Sequence, residues 1–310
     1  MKALLFPGQG SQAIGMGLEF YKNFKIVKDL FKTADEKLKF PISKIILEGP
    51  DNELKLTKNT QPAILVVSYS IYTVLKKEFN TDMSKFKFFA GHSLGEYSAL
   101  VCTEALNFDD ALFLLHERGK AMQDAVPVGK GGMLAVLGSS INEINDYISL
   151  LKNKEVCEIA NDNAEGQTII SGDIKSINNL QEILKQNKTK SIKLPVSAPF
   201  HCSLMKSAAK IMSEKIYSIE FKKPKFDIIN NVNASVEKSP ENIQKLLIEQ
   251  IYSKVKWRES VLYMANNDVS EFIEIGPGKV LSGLVKRIIK NATSNSINSI
   301  EDIKNIFKWI

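Results

Sequence analysis

The chain has 310 residues, of which 44% are hydrophobic and 25% are charged, and its formal net charge is +6. This length can bury a full hydrophobic core, and the composition is that of an ordinary globular protein. No apolar run reaches the length of a membrane span, and no dense basic patch interleaved with aromatic residues favours nucleic-acid binding. We therefore expect a cytoplasmic protein that binds neither membranes nor nucleic acid, and the mild positive charge permits an acidic partner.

The first predicted element is a strand over residues 1–6, which meets Pro7 too early to be the apolar core of a signal peptide. The segment at residues 6–12 reads FPGQGSQ, and its glycines let the backbone and a short amide side chain approach a ligand. It matches neither G-x-G-x-x-G nor a P-loop, so nucleotide binding finds little support. For Gln9, in this segment, a role in a site and a bond to local backbone both stay open.

Two long helices are predicted on either side of residue 90. Residues 63–75 form an apolar segment with Pro62 near its first turn. Residues 108–124 carry an apolar stripe along one side of the second helix. Arg118 falls near the edge of this stripe, where an arginine most often pairs with a carboxylate at the surface. On the residues alone, that interpretation of Arg118 is favoured.

The strongest chemical signal lies between a predicted strand at residues 86–90 and a helix that begins near Leu94. The connecting turn at residues 91–95 reads GHSLG, which is a G-x-S-x-G in the strand–turn–helix context of a nucleophile elbow. The two glycines permit a backbone path that exposes Ser93, and the N–H groups that follow point to where an oxyanion would form. The alternative is a turn whose serine only caps the helix.

The composition changes at residues 126–132, a glycine-rich linker. Beyond it, strands and helices are predicted in the order β-α-β-β-α-β, which is the ferredoxin-like unit, with a loop at residues 161–166 between the two middle strands. We therefore expect a compact ferredoxin-like subdomain at residues 128–197. It would be inserted into a larger α/β domain made of residues 1–127 and 198–310.

The larger domain resumes with a loop that contains His201 and precedes a helix. The chain has only three histidines. His92 lies inside the nucleophile turn, and His116 falls on a helix with no other signal. If Ser93 needs a general base, His201 is therefore the best candidate. The alternative is a structural histidine that caps the following helix.

The rest of the chain completes an α/β pattern. Strands are predicted at residues 226–230 and 272–275, with a helix between them that ends near Gln250. The last predicted helix, over residues 280–290, has a basic outer face, which is typical of a solvated surface.

The chain has three cysteines, Cys102, Cys157 and Cys202, and they form no C-x-x-C pair. An odd number of widely separated cysteines argues against a disulfide framework and against a zinc site. We therefore predict no metal site and expect small buried hydrophobic side chains at these positions.

Five segments are notable together: residues 6–12 (FPGQGSQ), 91–97 (GHSLGEY), 117–119 (ERG), 199–201 (PFH) and 274–279 (EIGPGK). In this order and spacing they resemble the motifs of the malonyl-CoA:acyl carrier protein transacylase family, and the resemblance spans nearly the whole chain. It implies an α/β-hydrolase-like main domain with a parallel sheet, which carries the inserted ferredoxin-like subdomain.

The resemblance also implies a reaction. The malonyl group would pass from malonyl-CoA to the phosphopantetheine thiol of acyl carrier protein by a ping-pong mechanism through a malonyl-Ser93 ester, in fatty acid biosynthesis. Malonyl-CoA and acyl carrier protein are the implied partners, no cofactor is implied, and we expect a monomer.

Each candidate residue receives a role from the same resemblance. His201 would activate Ser93 and then protonate the leaving thiol. The backbone carbonyl of Gln250 would orient His201 in the place of an aspartate. The backbone N–H groups of Gln9 and Leu94 would form the oxyanion hole.

Substrate selection is assigned to three further residues. Arg118 would pair with the free carboxylate of the malonyl group, since a planar guanidinium suits a bidentate contact that lysine would not reproduce. His92 and Phe200 would line the substrate pocket, and the ring of Phe200 would crowd an α-methyl branch.

Three alternatives stay open. An esterase or thioesterase of the α/β-hydrolase type would use the same turn, but it needs an acid between Ser93 and the histidine, and no acid in that interval stands in a recognisable loop. A non-catalytic docking module for acyl carrier protein would keep the fold. A trans-acting acyltransferase of polyketide synthesis would perform the same transfer on another carrier.

Overall fold

The computed structural model describes residues 1–152, 155–196 and 198–307, which form two β-sheets with helices packed on them. The strands are β1 (Lys2–Phe6), β2 (Phe86–Gly91), β3 (Gly131–Leu137), β4 (Cys157–Ala164), β5 (Gln167–Asp173), β6 (Lys190–Lys193), β7 (Asp227–Ile229), β8 (Val236–Glu237), β9 (Glu271–Ile275) and β10 (Thr293–Ile297). The helices are α1 (Leu18–Asn23), α2 (Lys25–Leu38), α3 (Ile42–Glu48), α4 (Asp51–Leu54), α5 (Thr57–Lys77), α6 (Gly95–Cys102), α7 (Phe108–Asp124), α8 (Ile141–Ser149), α9 (Ile174–Gln186), α10 (Lys206–Tyr217), α11 (Pro240–Gln250), α12 (Trp257–Asn266), α13 (Val280–Ile288) and α14 (Ile300–Phe307).

The larger sheet has the strand order β10-β9-β1-β2-β7-β8. Its first five strands are parallel, and β8 is antiparallel to β7. Parallel sheets bury both faces, which explains the apolar sequence of β1 from Ala3 to Phe6. Along that strand Leu4 and Phe6 enter one buried cluster, while Ala3 and Leu5 enter the cluster on the opposite face.

The smaller sheet is antiparallel and has the order β4-β5-β3-β6. One of its faces packs on α8 and α9 through an apolar cluster that includes Leu134, Ile144 and Ile170. Met133 and Ile169, which alternate with these residues along β3 and β5, join the core of the larger sheet instead. The prediction of a mixed α/β fold with a mainly parallel sheet is thus confirmed, together with a second, antiparallel sheet.

Helix α5 begins at Thr57, earlier than the predicted start at residue 63, so Pro62 lies inside the helix. Proline has no N–H, so Pro62 cannot donate a hydrogen bond to the carbonyl of Lys58, four residues before it. The ring nitrogen Nδ1 of His116, on α7, donates to this carbonyl oxygen at 3.0 Å. A partner from another helix therefore satisfies the group that proline leaves free.

The loop predicted at residues 161–166 is wrong for most of its length, because β4 continues to Ala164. Asn161, Asp162 and Asn163 resembled a loop in the sequence, but they are buried in the fold. Asp162 is held by the guanidinium of Arg258, whose Nε lies 3.0 Å from Oδ2. A buried polar strand is stable when such partners satisfy it, and these partners lie far away in the sequence.

Within the described ranges, no helix combines the length and apolarity needed to cross a membrane. The same ranges contain no group of three or more His, Cys, Asp or Glu side chains that could hold a metal ion. Cys102 and Cys202 are buried and Cys157 is half-buried, and none of the three forms a disulfide with another described residue.

Candidate active site

Ser93 lies at the turn between β2 and α6 with a left-handed backbone, φ 54°. A Cβ on Gly91 would lie 1.9 Å from the carbonyl carbon of Gly95, and a Cβ on Gly95 would lie 2.2 Å from the carbonyl oxygen of Phe6. Both glycines of the motif are therefore required by close backbone approach. The helix cap is Leu94 and no side chain caps it, so the helix-capping alternative for Ser93 does not describe this turn. A strained backbone at an exposed hydroxyl is typical of a nucleophile.

The hydroxyl of Ser93 lies next to the ring of His201. Oγ and Nε2 are 2.8 Å apart, and Nδ1 of His201 donates to the backbone carbonyl of Gln250 at 2.8 Å. Because a carbonyl only accepts, the proton of the neutral ring sits on Nδ1, which leaves Nε2 free to accept from the serine. This pairing replaces the alternative of a histidine that caps a helix.

The protonation state of His201 suits a base. The ring is 5% exposed; burial and, next, the nearby charge of Arg118 lower its pKa to about 3. The ring is therefore neutral near pH 7. Its partner carbonyl belongs to Gln250 at the end of α11, so no acid is needed to hold the ring.

Arg118, on α7, is 1% exposed, so the favoured interpretation as a surface ion pair is wrong. Its Nη1 donates to Oε1 of Gln61 at 2.8 Å, and its Nη2 donates to Oε1 of Gln250 at 2.8 Å and to Oγ of Ser93 at 3.1 Å. Nε is buried without a hydrogen-bond partner among the described residues. Burial lowers the pKa of the guanidinium, but arginine remains charged. A buried cation held by neutral acceptors is suited to bind an anionic group.

Gln9 and Leu94 both line the cavity in front of Ser93. A Cβ on Gly8 would lie 2.7 Å from the carbonyl oxygen of His92, so the glycine-rich segment lies directly against the nucleophile turn. The N–H of Ser93 itself donates to a side chain, which leaves the next N–H, that of Leu94, as the nearest backbone donor of the turn. The oxyanion hole formed by the N–H groups of Gln9 and Leu94 stays a prediction.

The cavity has a volume of about 200 Å³. It is lined by the residues predicted for the site except Gln250, which contacts Ser93 and Arg118 from outside the cavity. The lining residues are Gln9, Gln61, His92, Ser93, Leu94, Arg118, Met122, Met133, Asn161, Asn163, Ile169, Leu194, Val196, Phe200 and His201. Pockets for drug-sized ligands measure roughly 300–1,000 Å³, so this cavity suits a small acyl group.

His92 and Phe200 form part of this wall. Nε2 of His92 lies 2.8 Å from Oδ1 of Asn163, and its ring tilts against that of Trp257 with centroids 5.5 Å apart. Burial lowers the pKa of His92. The ring of Phe200 is almost completely buried. Both predicted pocket residues therefore have fixed positions.

Several residues of the site carry no signal that the sequence reasoning used. Gln61 and Asn163 bind Arg118 and His92 through amides that belong to no motif. The side chain of Asn231 binds the nucleophile turn from behind, and the carboxylate of Glu96 accepts the backbone N–H of Asn231. Of these, only Glu96 lies within a motif segment, GHSLGEY, and that position could have indicated it.

A family model described as "Acyl transferase domain" matches residues 3–305. A malonyl CoA-acyl carrier protein transacylase from Bacillus subtilis (strain 168) is 42% identical over 306 residues, which cover 97% of this chain and 95% of the relative. The chain belongs to the malonyl-CoA:acyl carrier protein transacylase family. The resemblance read from the five segments is thus confirmed.

Solved structures agree with this assignment. An acyl carrier protein S-malonyltransferase from Vibrio cholerae superimposes with a TM-score of 0.95 at 38% identity, covering 98% of this chain and 99% of the other. A malonyl-transacylase in complex with its type II PKS acyl-carrier protein has a TM-score of 0.95 at 35% identity, with 99% of each chain covered.

Proposed function

We propose that this protein is an S-malonyltransferase that moves the malonyl group from malonyl-CoA to the phosphopantetheine thiol of acyl carrier protein in fatty acid biosynthesis. The observation that carries the proposal is the buried guanidinium of Arg118, whose Nη2 lies 3.1 Å from Oγ of Ser93 in a small cavity. A nucleophile beside a buried cation suits an acyl group that ends in a carboxylate. The relatives described above bear the name of this activity.

In the first half-reaction, Oγ of Ser93 attacks the thioester carbonyl of malonyl-CoA while Nε2 of His201 accepts the hydroxyl proton. The N–H groups of Gln9 and Leu94 stabilise the oxyanion. The C–S bond then breaks, His201 returns the proton to the sulfur of coenzyme A, and a malonyl-Ser93 ester remains. The Gln250 carbonyl bound to Nδ1 keeps the ring oriented in both steps.

The second half-reaction repeats these steps with a different thiol. The phosphopantetheine sulfur of the carrier gives its proton to His201 and attacks the ester carbonyl. The C–O bond to Ser93 breaks, and the serine recovers its proton from the ring. Because one base serves both directions, the histidine must be neutral before each attack, which agrees with its lowered pKa.

Selection of the malonyl group rests on Arg118. Gln61 and Gln250 hold the guanidinium with neutral oxygens, so its charge stays available for the substrate carboxylate. An acetyl group would leave that charge without an anion. Phe200 lines the cavity, and we propose that its ring crowds an α-methyl branch.

The fold supports a finer division of the chain. We propose that residues 128–197 are a ferredoxin-like subdomain inserted into an α/β-hydrolase-like domain of residues 1–127 and 198–310; residue 197 itself lies outside the described residues. The element order β3-α8-β4-β5-α9-β6 and the strand order β4-β5-β3-β6 support this, as does the separate apolar cluster on α8 and α9.

We further propose a monomer that works in the cytoplasm without a cofactor, with malonyl-CoA and an acidic acyl carrier protein as partners. The net charge of +6 supports an acidic partner. Light scattering of the purified protein tests the monomer. If the rate of transfer to the carrier does not change with ionic strength, the proposed electrostatic attraction between the two proteins is contradicted.

The function is tested by following both half-reactions. The protein is mixed with malonyl-CoA, freed of excess substrate, and given either water or a carrier protein with a free phosphopantetheine thiol. We expect the malonyl group to survive in water and to appear on the carrier thiol. Release of free malonate in water at the same rate would support an esterase instead. Comparing a fatty acid carrier with a type II PKS carrier separates the two pathways.

A further inference from the structure

We propose that Glu96 is a positioning residue for acyl transfer, because its buried carboxylate holds the side-chain amide of Gln250 in the orientation that presents its oxygen to Arg118. This inference rests on the proposed function. Glu96 lies in the first turn of α6 and is 3% exposed. It does not line the cavity, so it acts on the substrate only through its neighbours.

The contacts of the Gln250 amide leave one orientation. Its Nε2 donates to Oε2 of Glu96 at 2.7 Å and to the backbone carbonyl of Ser93 at 3.1 Å. Its Oε1 accepts from Nη2 of Arg118 at 2.8 Å. A carboxylate and a carbonyl only accept, and a guanidinium only donates. An inverted amide would therefore face acceptors with its oxygen and a donor with its NH2, and all three bonds would be lost.

The same carboxylate oxygen supports the nucleophile turn by a second route. Oε2 of Glu96 accepts the N–H of Asn231 at 3.0 Å. The side chain of Asn231 in turn accepts the N–H of Ser93 at 2.7 Å and donates to the carbonyl of Gly91 at 2.7 Å. Gln250 also supplies the carbonyl that holds His201. Glu96 therefore supports the nucleophile turn through Asn231 and contacts the residue that orients the histidine, Gln250.

A carboxylate at this position is costly, which argues that its chemistry is needed. Among the described residues, no lysine or arginine nitrogen lies within 4.0 Å of the Glu96 carboxylate to form an ion pair. Burial raises the pKa of Glu96 to about 7 against the opposing effects of its bonds to Asn231 and Gln250 and of the nearby charge of Arg118. Both bonds reach the same oxygen, Oε2, so the amide oxygen of a glutamine at this position could accept them as well. A methionine has a similar size but no strong acceptor, and it would leave the two N–H groups buried without a partner.

The test uses Glu96→Met, which removes the acceptor, Gln250→Ala and the double variant. Gln250→Ala removes the amide but keeps the backbone carbonyl that holds the histidine. For each variant, rapid quenching and intact mass give the rate of malonyl-ester formation, and acetyl-CoA gives the matching acetyl rate. We expect each single variant to lower the malonyl rate and the malonyl-to-acetyl ratio about tenfold, as for a lost charge-assisted hydrogen bond. The double variant should be little worse than the more damaged single one, because both changes break one link.

Glu274 provides the matched control. It is also a buried glutamate, and it accepts backbone N–H groups of Leu281 and Ser282 at 3.1 and 2.8 Å, away from the cavity. Glu274→Met should lower the melting temperature and leave the acyl ratio unchanged. If Glu96→Met behaves like this control, Glu96 has only a structural role and the proposal is overturned.

If Glu96→Met does not fold, Gln250→Ala decides, because a wild-type malonyl-to-acetyl ratio in that variant overturns the proposed link by itself. If the unmodified protein takes up no malonyl group, the proposed function fails, and that result is separate from any effect at Glu96.

Discussion

Removing the guanidinium of Arg118 should abolish selection for the malonyl group and spare acetyl transfer. In the protein, this buried cation donates to neutral groups of Gln61, Gln250 and Ser93. The malonyl carboxylate would bind it directly as an anion. Arg118→Ala therefore removes one partner of a buried charge pair and leaves the substrate charge unpaired during the reaction.

The expected loss of malonyl transfer follows from the burial of the Arg118 guanidinium. Removing one partner of a buried ion pair costs about 3–5 kcal/mol, and each 1.36 kcal/mol corresponds to about a tenfold change in rate. We expect kcat/KM for malonyl transfer to fall by about two-hundredfold to five-thousandfold. Acetyl transfer should stay within about tenfold of wild type or rise, because an acetyl group never uses the charge.

The assay measures ester formation with malonyl-CoA and with acetyl-CoA under the same conditions. Arg118→Lys is the control, since it keeps a positive charge but loses the planar fork that holds two oxygens; its malonyl rate should fall between the wild-type and alanine values. An equal fall of the malonyl and acetyl rates in Arg118→Ala would refute the carboxylate contact. It would show instead that the arginine only supports the nucleophile.

Three further predictions concern the fold around the site. Gly91→Ala should destabilise the protein by about 3 kcal/mol or more, since the added Cβ would lie 1.9 Å from a backbone atom. Gly283→Ala is the control, because it lies on a helix where an added Cβ meets no atom within 4 Å, and it should stabilise the protein by up to about 1 kcal/mol. Equal denaturation midpoints of the two variants would contradict this prediction. Wild type should lose stability relative to His201→Gln as the pH falls from 6.5 towards 3, by up to about 1.4 kcal/mol per pH unit, because the unfolded ring binds a proton that the folded ring, with its pKa lowered to about 3, excludes; parallel pH curves would argue against it. His116→Ala should cost about 1 kcal/mol by leaving the Lys58 carbonyl unpaired, and an unchanged melting temperature would disprove that compensation.

The positions of the nucleophile and the base could be predicted because local chemistry determines them. The glycines on either side of Ser93 are required by backbone contacts within the turn and with the adjacent strand. His201 could be selected because the chain offers only two other histidines. The resemblance added the Gln250 carbonyl, which lies where it was expected, although its role as the histidine's support stays a proposal.

The environment of Arg118 could not be predicted, because it is created by long-range contacts. Helical periodicity placed this residue near the edge of an apolar stripe, yet its partners Gln61 and Gln250 lie 57 and 132 positions away in the sequence. The buried end of β4 escaped prediction for the same reason, since Asp162 pairs with Arg258, 96 positions away. Sequence patterns report the local backbone and its exposed faces, whereas buried polar groups depend on partners that only the fold brings together.

Locating the acyl group on the protein tests most directly whether Ser93 is the nucleophile. Wild type and Ser93→Ala are incubated with malonyl-CoA, and intact mass followed by peptide mapping identifies any modified residue. We predict one malonyl group on Ser93 of the wild type, its removal by a phosphopantetheine thiol, and no modification of the alanine variant. A malonyl group retained by Ser93→Ala, or transfer to the carrier without any ester on the wild type, would contradict it.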